Sequence, residues 1–164
     1  WRVGGRALLV GDAAHAIVPF HGQGMNCCFE DCRVLDDLLA AGGDWQQCFA
    51  RFEALRRDDA AAIARMALEN YVEMRDTVRE PRFALLKELS LALERRHPQR
   101  FIPRYAMVSF HAEIPYAEAE RRGAVQSHLL DTLAAGAACI EDIDWARADA
   151  AVLAALPPLH PPGG

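Results

Sequence analysis

The chain has 164 residues, 52% of them hydrophobic, and a formal net charge of −5. This length fits about one domain with a buried core, and the negative charge gives no electrostatic basis for binding nucleic acid. No stretch reaches the ~18 continuous apolar residues that a membrane-spanning helix needs, so we expect a soluble cytoplasmic protein without a membrane partner.

The cysteines are five in number, and no secretory signal precedes them. An odd count without such a signal is typical of reduced thiols in the cytosol. Cys28 and Cys32 are four residues apart on one helical face, but that helix has no histidine at ligand spacing. We interpret the thiols as buried packing groups and predict no metal site.

The first element is a short strand. Ala7 to Val10 is an apolar run that Gly11 closes, which predicts a buried strand at the edge of a parallel sheet. One strand cannot form a sheet, so its partners are expected outside the chain. The chain also starts at Trp1 without an initiating methionine, and both features indicate a fragment of a longer protein.

A helical pattern follows from Gly24 to about Ala41, where Gly42-Gly43 ends it. Its apolar residues recur at helical spacing and predict one buried face. That predicted face consists of Cys28, Cys32, Leu35 and Leu39.

A second long helical region begins after Asp44, a suitable N-cap with Gln47 as its capping-box partner. Asp58-Asp59 marks either a break in this region or a new cap. The helical pattern then runs from Ala60 to Val78, and Glu80-Pro81 ends it.

Shorter elements complete the chain. Helices are predicted from Phe83 to about His97, from Pro115 to about Ala135, and from a cap at Asp144 to Leu156. Residues 101–110 lack a helical period and contain a proline, so we predict an extended segment there. The Pro/Gly-rich tail, residues 157–164, is expected to be disordered.

The segment from Gly11 to Gly24 has the features of a ligand-binding connection. Gly11 lets a ligand approach the backbone closely, and Asp12 offers a carboxylate to hydroxyl groups at the end of the strand. Gly22-Gln23-Gly24 leads into a helix, whose N-terminus stabilises an anion. Each feature also has a structural explanation: Asp12 as a cap, the glycines as turn residues, and His15 as a packed histidine bonded to backbone.

The complete spacing resembles a flavin-binding motif of the aromatic-ring flavoprotein hydroxylases. The matching residues are Gly11-Asp12-Ala13-Ala14-His15, Pro19, Gly22-Gln23-Gly24-Met25-Asn26 and Glu30-Asp31. The resemblance implies the C-terminal part of an α/β FAD-binding fold like that of p-hydroxybenzoate hydroxylase. It implies FAD as cofactor, with Asp12 on its ribitol and the helix after the turn near its pyrimidine end. The cofactor-binding residues are then Gly11, Asp12, Pro19, Gly22, Gly24, Met25 and Asn26.

Further stretches resemble the members of this family that hydroxylate L-kynurenine in tryptophan catabolism. They are residues 19–24, 66–76, 104–111 and 115–119, in the same order along the chain. The resemblance implies hydroxylation of L-kynurenine to 3-hydroxykynurenine, with NADPH and molecular oxygen as co-substrates. The substrate-binding residues it implies are Phe20, His21, Gln23, Asn70, Met74 and Tyr105, and no catalytic residue is assigned.

The chain is therefore predicted to be a mostly α-helical fragment with one short strand. Residues 1–41 would end an FAD-binding domain, residues 42–156 would form a helical body that completes the substrate site, and residues 157–164 the tail. The GxGxxG dinucleotide fingerprint is absent, so we expect the isolated chain to be inactive and its main partner to be the remaining N-terminal part of the enzyme. Whether the protein forms a homodimer is left open by the sequence.

Two alternatives to this function remain. The first is another FAD-dependent hydroxylase acting on a phenolic substrate, against which Asn70 and Tyr105 argue because they suit an amino-acid substrate. The second is a helical interaction module that no longer catalyses a reaction, for which the missing half and the amphipathic helices are the basis.

Overall fold

The computed structural model describes residues 1–77 and 80–159. The chain divides into two compact units, Trp1–Tyr71 and Val72–Gly164. The sequence placed a domain boundary after residue 41, and that division stays a prediction about the longer protein. Val78, the predicted end of the long helix, and residues 160–164 of the predicted tail lie outside the described residues.

The first unit begins with a β-hairpin. Strand β1 (Arg2–Val3) pairs antiparallel with strand β2 (Ala7–Leu8). Gly4, with φ at 55°, lies in the turn between them, and glycine adopts this conformation without a steric penalty. The prediction of a buried strand at the edge of a parallel sheet is wrong within the described residues, because a local reversal supplies the partner and leaves β2 largely solvent-accessible.

Three helices of the first unit follow the hairpin. Helix α1 (Asp12–His15) is a single turn, α2 spans Gly24–Ala40, and α3 spans Trp45–Val72. A 3₁₀ turn at Pro19–His21 lies between α1 and α2. The predicted helix from Gly24 is therefore confirmed to within one residue of its predicted end.

The buried face of α2 differs from the predicted one. Its buried residues are Cys27, Asp31 and Leu38, whereas Cys32 and Leu39 are exposed. The predicted buried face is offset by one position from the observed one, because the prediction took Asp31 to be a surface residue. A charged residue can be buried when it is paired, and Asp31 is paired with an arginine of α3.

Helix α3 is continuous through Asp58-Asp59, so the region contains neither a break nor a new cap. Asp59 lies 3.6 Å from Arg56 on the same helix, which explains an acidic residue in mid-helix. Asp44 is confirmed as an N-cap, since its Oδ1 accepts a hydrogen bond of 2.8 Å from the Gln47 amide. This bond satisfies one of the free N–H groups of the first turn.

The second unit contains the remaining helices. They are α4 (Pro81–Arg96), α5 (Arg104–Phe110), α6 (Tyr116–Leu133) and α7 (Trp145–Ala155). A π-helical turn at Glu73–Thr77 follows α3, and a 3₁₀ turn at Ile140–Asp142 precedes α7. The predictions for α4, α6 and α7 are confirmed, and Asp144 caps α7 through a 3.0 Å bond from the Arg147 amide.

The prediction of an extended segment over residues 101–110 is wrong for its second part. Helix α5 begins directly after Pro103, which occupies the N-cap with extended backbone angles. A proline at a helix start costs no intrahelical hydrogen bond, so Pro103 starts a helix here. Within the segment 101–110, residues 101–103 are non-helical.

The second unit has an apolar core. Leu89, Leu93, Phe101 and Val152 are completely buried in it, and Leu156 almost completely. Burying each such side chain contributes about 1.5–3 kcal/mol. The start of the predicted tail is attached to this unit, since the Leu159 amide donates to the Gln99 carbonyl at 2.7 Å.

Candidate functional site

The Gly11-Asp12 pair lies at the exit of strand β2, next to helix α2. Gly11 has φ at 59° and is the N-cap of α1. A Cβ at this position would meet the Cys28 Sγ at 3.0 Å, so the close approach of the turn to α2 requires glycine. The Asp12 side chain accepts from the Cys28 thiol at 3.6 Å and is otherwise solvent-accessible. The carboxylate therefore lies beside the first turns of α2.

The N-terminus of α2 is open. Gln23 occupies its N-cap and makes no side-chain capping bond to the helix. A Cβ on Gly24 would meet no atom within 4 Å, and Met25 is 68% exposed. Amide groups of the first turn therefore lack a side-chain cap, which suits an anion.

The connection between α1 and α2 is held by the end of α3. The Asn70 side-chain amide donates to the Phe20 carbonyl at 2.6 Å. The rings of Phe20 and Tyr71 lie 4.5 Å apart between centroids. Gly22, with φ at 67°, closes the 3₁₀ turn by donating to the Pro19 carbonyl. Asn70 thus bonds a loop that carries other predicted site residues.

The remaining predicted residues have different environments. His21 and Gln23 are buried, and Gln23 Oε1 accepts a 2.9 Å hydrogen bond from the Asn26 side chain. Met74 and Tyr105 belong to the second unit, where both side chains are more than half exposed. The first unit thus brings Asn70 to the predicted cofactor loop.

Sequence reasoning missed a buried charge cluster next to Gly11, here called the Asp31 cluster and consisting of Asp31, His15, Cys27 and Arg56. Asp31 is completely buried. Its Oδ2 accepts hydrogen bonds from the Gly11 amide at 3.0 Å and from His15 Nε2 at 2.6 Å. Its Oδ1 accepts from Arg56 Nε at 2.7 Å. The histidine is therefore bonded to a carboxylate rather than to backbone.

The surroundings decide the ionisation of the cluster. Burial alone would raise the pKa of Asp31, but hydrogen bonds from Arg56, His15 and Gly11 outweigh it and hold that pKa below its ordinary value. Burial raises the pKa of the Cys27 thiol to about 12, although Arg56 opposes the shift. Asp31 is therefore an anion and Cys27 a neutral thiol near neutral pH.

The donor atoms of His15, Cys27 and Asp31 lie within 4.8 Å of one another, a spacing compatible with a metal ion. The Arg56 guanidinium, however, donates to both Cys27 Sγ, at 3.4 Å, and Asp31. A fixed cation thus already neutralises Asp31, and a protonated thiol is a poor metal ligand. The geometry is that of a buried ion pair.

The sequence contains a signal for this pair. Arg56 interrupts the otherwise apolar buried face of α3 that includes Phe52, Ala60 and Ile63. Asp31 interrupts the buried face of α2 in the same way. Two single, opposite charges on two apolar faces indicate a buried ion pair, because an unpaired charge there would be strongly destabilising.

The prediction that the cysteines are buried packing groups holds for only some of them. Cys27 and Cys48 are buried, as packing thiols should be, whereas Cys32 and Cys139 are exposed. The buried thiol near possible ligands is Cys27, whereas Cys28 is half-buried and Cys32 is exposed.

Comparison with known proteins supports the assignment of the first unit. Residues 1–66 match the model of the FAD binding domain family. The chain is 54% identical over 159 residues to "Kynurenine 3-monooxygenase" of Xanthomonas euvesicatoria pv. vesicatoria, which covers 97% of this chain and 35% of the relative. The match to the protein of the same name from Stenotrophomonas maltophilia is 52% over 160 residues, covering 98% and 35%.

Nearly the whole chain is similar to these kynurenine 3-monooxygenases. The resemblance seen in its motifs is thus confirmed over nearly its whole length. The chain spans about a third of the length of the curated relatives it matches, 35% in each case quoted. Among residues 1–77 and 80–159, no helix is long and apolar enough to cross a membrane.

Proposed function

We propose that this chain is the C-terminal part of an FAD-dependent enzyme that hydroxylates L-kynurenine to 3-hydroxykynurenine, with NADPH and molecular oxygen as co-substrates. The observation that carries the proposal is the 54% identity to a kynurenine 3-monooxygenase across 97% of the chain. The open helix terminus beside Asp12 supports it independently, because it offers a hydroxyl acceptor and an anion site near each other.

The residues present fit the cofactor. Asp12 is accessible and would accept hydroxyl groups of the ribitol. Gly22 and Gly24 leave open space where a side chain would otherwise stand, and Met25 and Asn26 lie on the first turn of α2. Gly11 and Pro19 shape the two ends of the connection. When bound, FAD would supply the redox and oxygen-transfer chemistry.

The substrate side is proposed to include Phe20, His21 and Gln23 on the same connection, and Asn70, Met74 and Tyr105 on the helical body. The Phe20 backbone carbonyl accepts a hydrogen bond from Asn70, and the Phe20 ring packs against that of Tyr71. The task of these residues is to hold an aromatic ring in position and to exclude water. An amide and a phenol hydroxyl suit the amino-acid end of kynurenine.

The rest of the enzyme is proposed to supply what this chain lacks. The relatives are about three times as long, since the chain covers 35% of them. The dinucleotide fingerprint for the ADP part of FAD would be in that other part. The isolated chain should accordingly bind FAD weakly and show no turnover.

The cofactor assignment is tested by Asp12→Ala in the complete protein. A hydrogen bond to a charged group contributes about 1.5–3 kcal/mol, so the Kd for FAD should rise roughly tenfold to a hundredfold. Flavin fluorescence in a titration of the apoprotein measures it. Asp37→Ala is the matched control, because Asp37 is an exposed aspartate of α2 that forms an ion pair with Arg33. Unchanged FAD affinity in Asp12→Ala would remove Asp12 from the site.

The substrate assignment is tested by NADPH oxidation in the same protein. L-kynurenine should stimulate oxidation, and Asn70→Ala should raise the kynurenine concentration required while FAD stays bound. Stronger stimulation by a simple phenol would instead identify a phenol hydroxylase, and no stimulation by either would support a non-catalytic module.

A further inference from the structure

We infer that Asp31 is a positioning residue for the cofactor site: through the Gly11 amide, the buried carboxylate of α2 sets where the Asp12 carboxylate lies. This inference rests on the proposed function, since it gives Asp31 a role in FAD binding. Asp31 itself is completely buried and cannot contact a flavin. Its effect must be transmitted through the backbone.

The bond from Gly11 to Asp31 holds the residue directly before Asp12. The Gly11 amide donates to Asp31 Oδ2 at 3.0 Å in a buried position. Gly11 has φ at 59°, and glycine without such a bond could adopt many other backbone conformations. A bond at this amide therefore restrains the direction in which the chain enters α1 and Asp12 projects.

Asp12 has little else to hold it. Its side chain accepts a hydrogen bond from the Cys28 thiol at 3.6 Å, and a thiol is a weak donor. Asp12 is also solvent-accessible. Its position is thus determined mainly by the backbone of residues 11 and 12, which Asp31 restrains.

Asp31 is itself held from two sides. His15, at the end of α1, donates to the same oxygen as Gly11, so both ends of the α1 turn are attached to one carboxylate. Arg56 of α3 donates to the other oxygen and also lies 3.0 Å from Glu30. The carboxylate cannot shift without breaking bonds to α1 and α3 together, which makes it a rigid reference point for the turn.

A merely structural carboxylate would stabilise the fold without acting through Asp12, and a double-mutant cycle separates the two roles. In the complete protein, we expect Asp31→Asn to raise the Kd for FAD about tenfold. In the Asp12→Ala background, the same substitution should change the Kd less than about twofold, because the group it positions is already absent. An equal factor in both backgrounds would overturn the inference.

A milder pair of variants keeps the test decisive if Asp31→Asn fails to fold. His15→Leu removes the bond to Asp31 Oδ2, whereas His15→Gln keeps an N–H donor on a chain of similar reach. We expect His15→Leu to raise the Kd for FAD severalfold and His15→Gln to restore it to within about twofold of wild type. Equal Kd values for the two variants would contradict the inference.

The control on the same helix is Asp37→Asn, which removes one negative charge at an exposed site and should leave the Kd unchanged. Failure of the proposed function has a different signature. In that case the wild-type protein would not retain FAD and Asp12→Ala would have no effect. If the wild-type protein binds FAD and Asp12→Ala weakens that binding, the result of the double-mutant cycle tests only the role of Asp31.

Discussion

The two units of the chain are stabilised in different ways. The second unit has an apolar core around Leu89 and Phe101 and an accessible ion pair between Arg96 and Asp149, and its buried Arg122 donates to a backbone carbonyl. The first unit also buries apolar residues around Phe52, but it places a completely buried aspartate and a buried arginine between its helices.

The two kinds of packing differ in how strictly they fix the geometry of their parts. The hydrophobic effect that stabilises an apolar core is non-directional. A buried ion pair with hydrogen bonds permits one arrangement, at the expense of removing charges from water. Among the described residues, the buried pair of an aspartate and an arginine thus lies in the unit that carries the FAD binding domain match.

The largest expected effect is that of Arg56→Ala. It leaves Asp31 buried without its cation, and breaking a buried pair in this way costs about 3–5 kcal/mol. The free energy of unfolding of the chain, measured in urea, should fall by that amount. Arg33→Ala is the control, because Arg33 pairs with Asp37 in solvent and should cost at most about 1 kcal/mol. Equal losses would mean that the Asp31 cluster is hydrated.

A core truncation in the second unit should have a comparable or slightly smaller effect without any polar cause. Leu89 is completely buried, so Leu89→Ala should cost about 2–5 kcal/mol through lost burial and the resulting cavity. Leu91 is 43% exposed on the same helix, and Leu91→Ala should cost about 0.5 kcal/mol or less. In the complete protein, FAD affinity should be unchanged by either. Loss of FAD in Leu89→Ala would show that the two units are coupled.

Acid should destabilise the first unit through Asp31. Its folded-state pKa lies below the ordinary value of 3.8, so its contribution is fully present above that value and is lost as pH falls through the lower folded-state pKa. The free energy of unfolding, measured from pH 6 downward, should decline less steeply in Asp31→Asn than in wild type. Asp149→Asn offers the comparison in the second unit: Arg96 and His97 lower the pKa of Asp149 strongly, but solvent screens this accessible pair, so we expect a smaller change of slope there. A larger change of slope in Asp149→Asn would reverse the contrast between the units.

The smallest effects should be the same in both units. Asp44 caps α3 in the first unit and Asp144 caps α7 in the second, through bonds of 2.8 and 3.0 Å. Alanine at either position should cost about 1 kcal/mol, measured by urea unfolding, because a cap is a local interaction. A cost that differed widely between the two would show that tertiary context dominates even at helix ends.

These local features could be predicted from the sequence because their causes lie within a few residues. The caps at Asp44 and Asp144 depend on a side chain and an amide three positions later. The helix after Pro103 was missed although its signal is equally local, because the proline was taken as an interruption rather than as a start.

The sequence by itself determined the resemblance to flavoprotein hydroxylases, the helix that starts at Gly24 and the capped helix ends, since motif spacing and capping act over short distances. Only the tertiary structure decided which face of α2 is buried. That choice depends on Arg56, which meets Asp31 across 25 positions of sequence, and no periodicity within α2 contains this partner. The attachment of Gly11 to the same carboxylate is decided likewise, because Asp31 lies 20 positions further along the chain and meets Gly11 only in the folded unit.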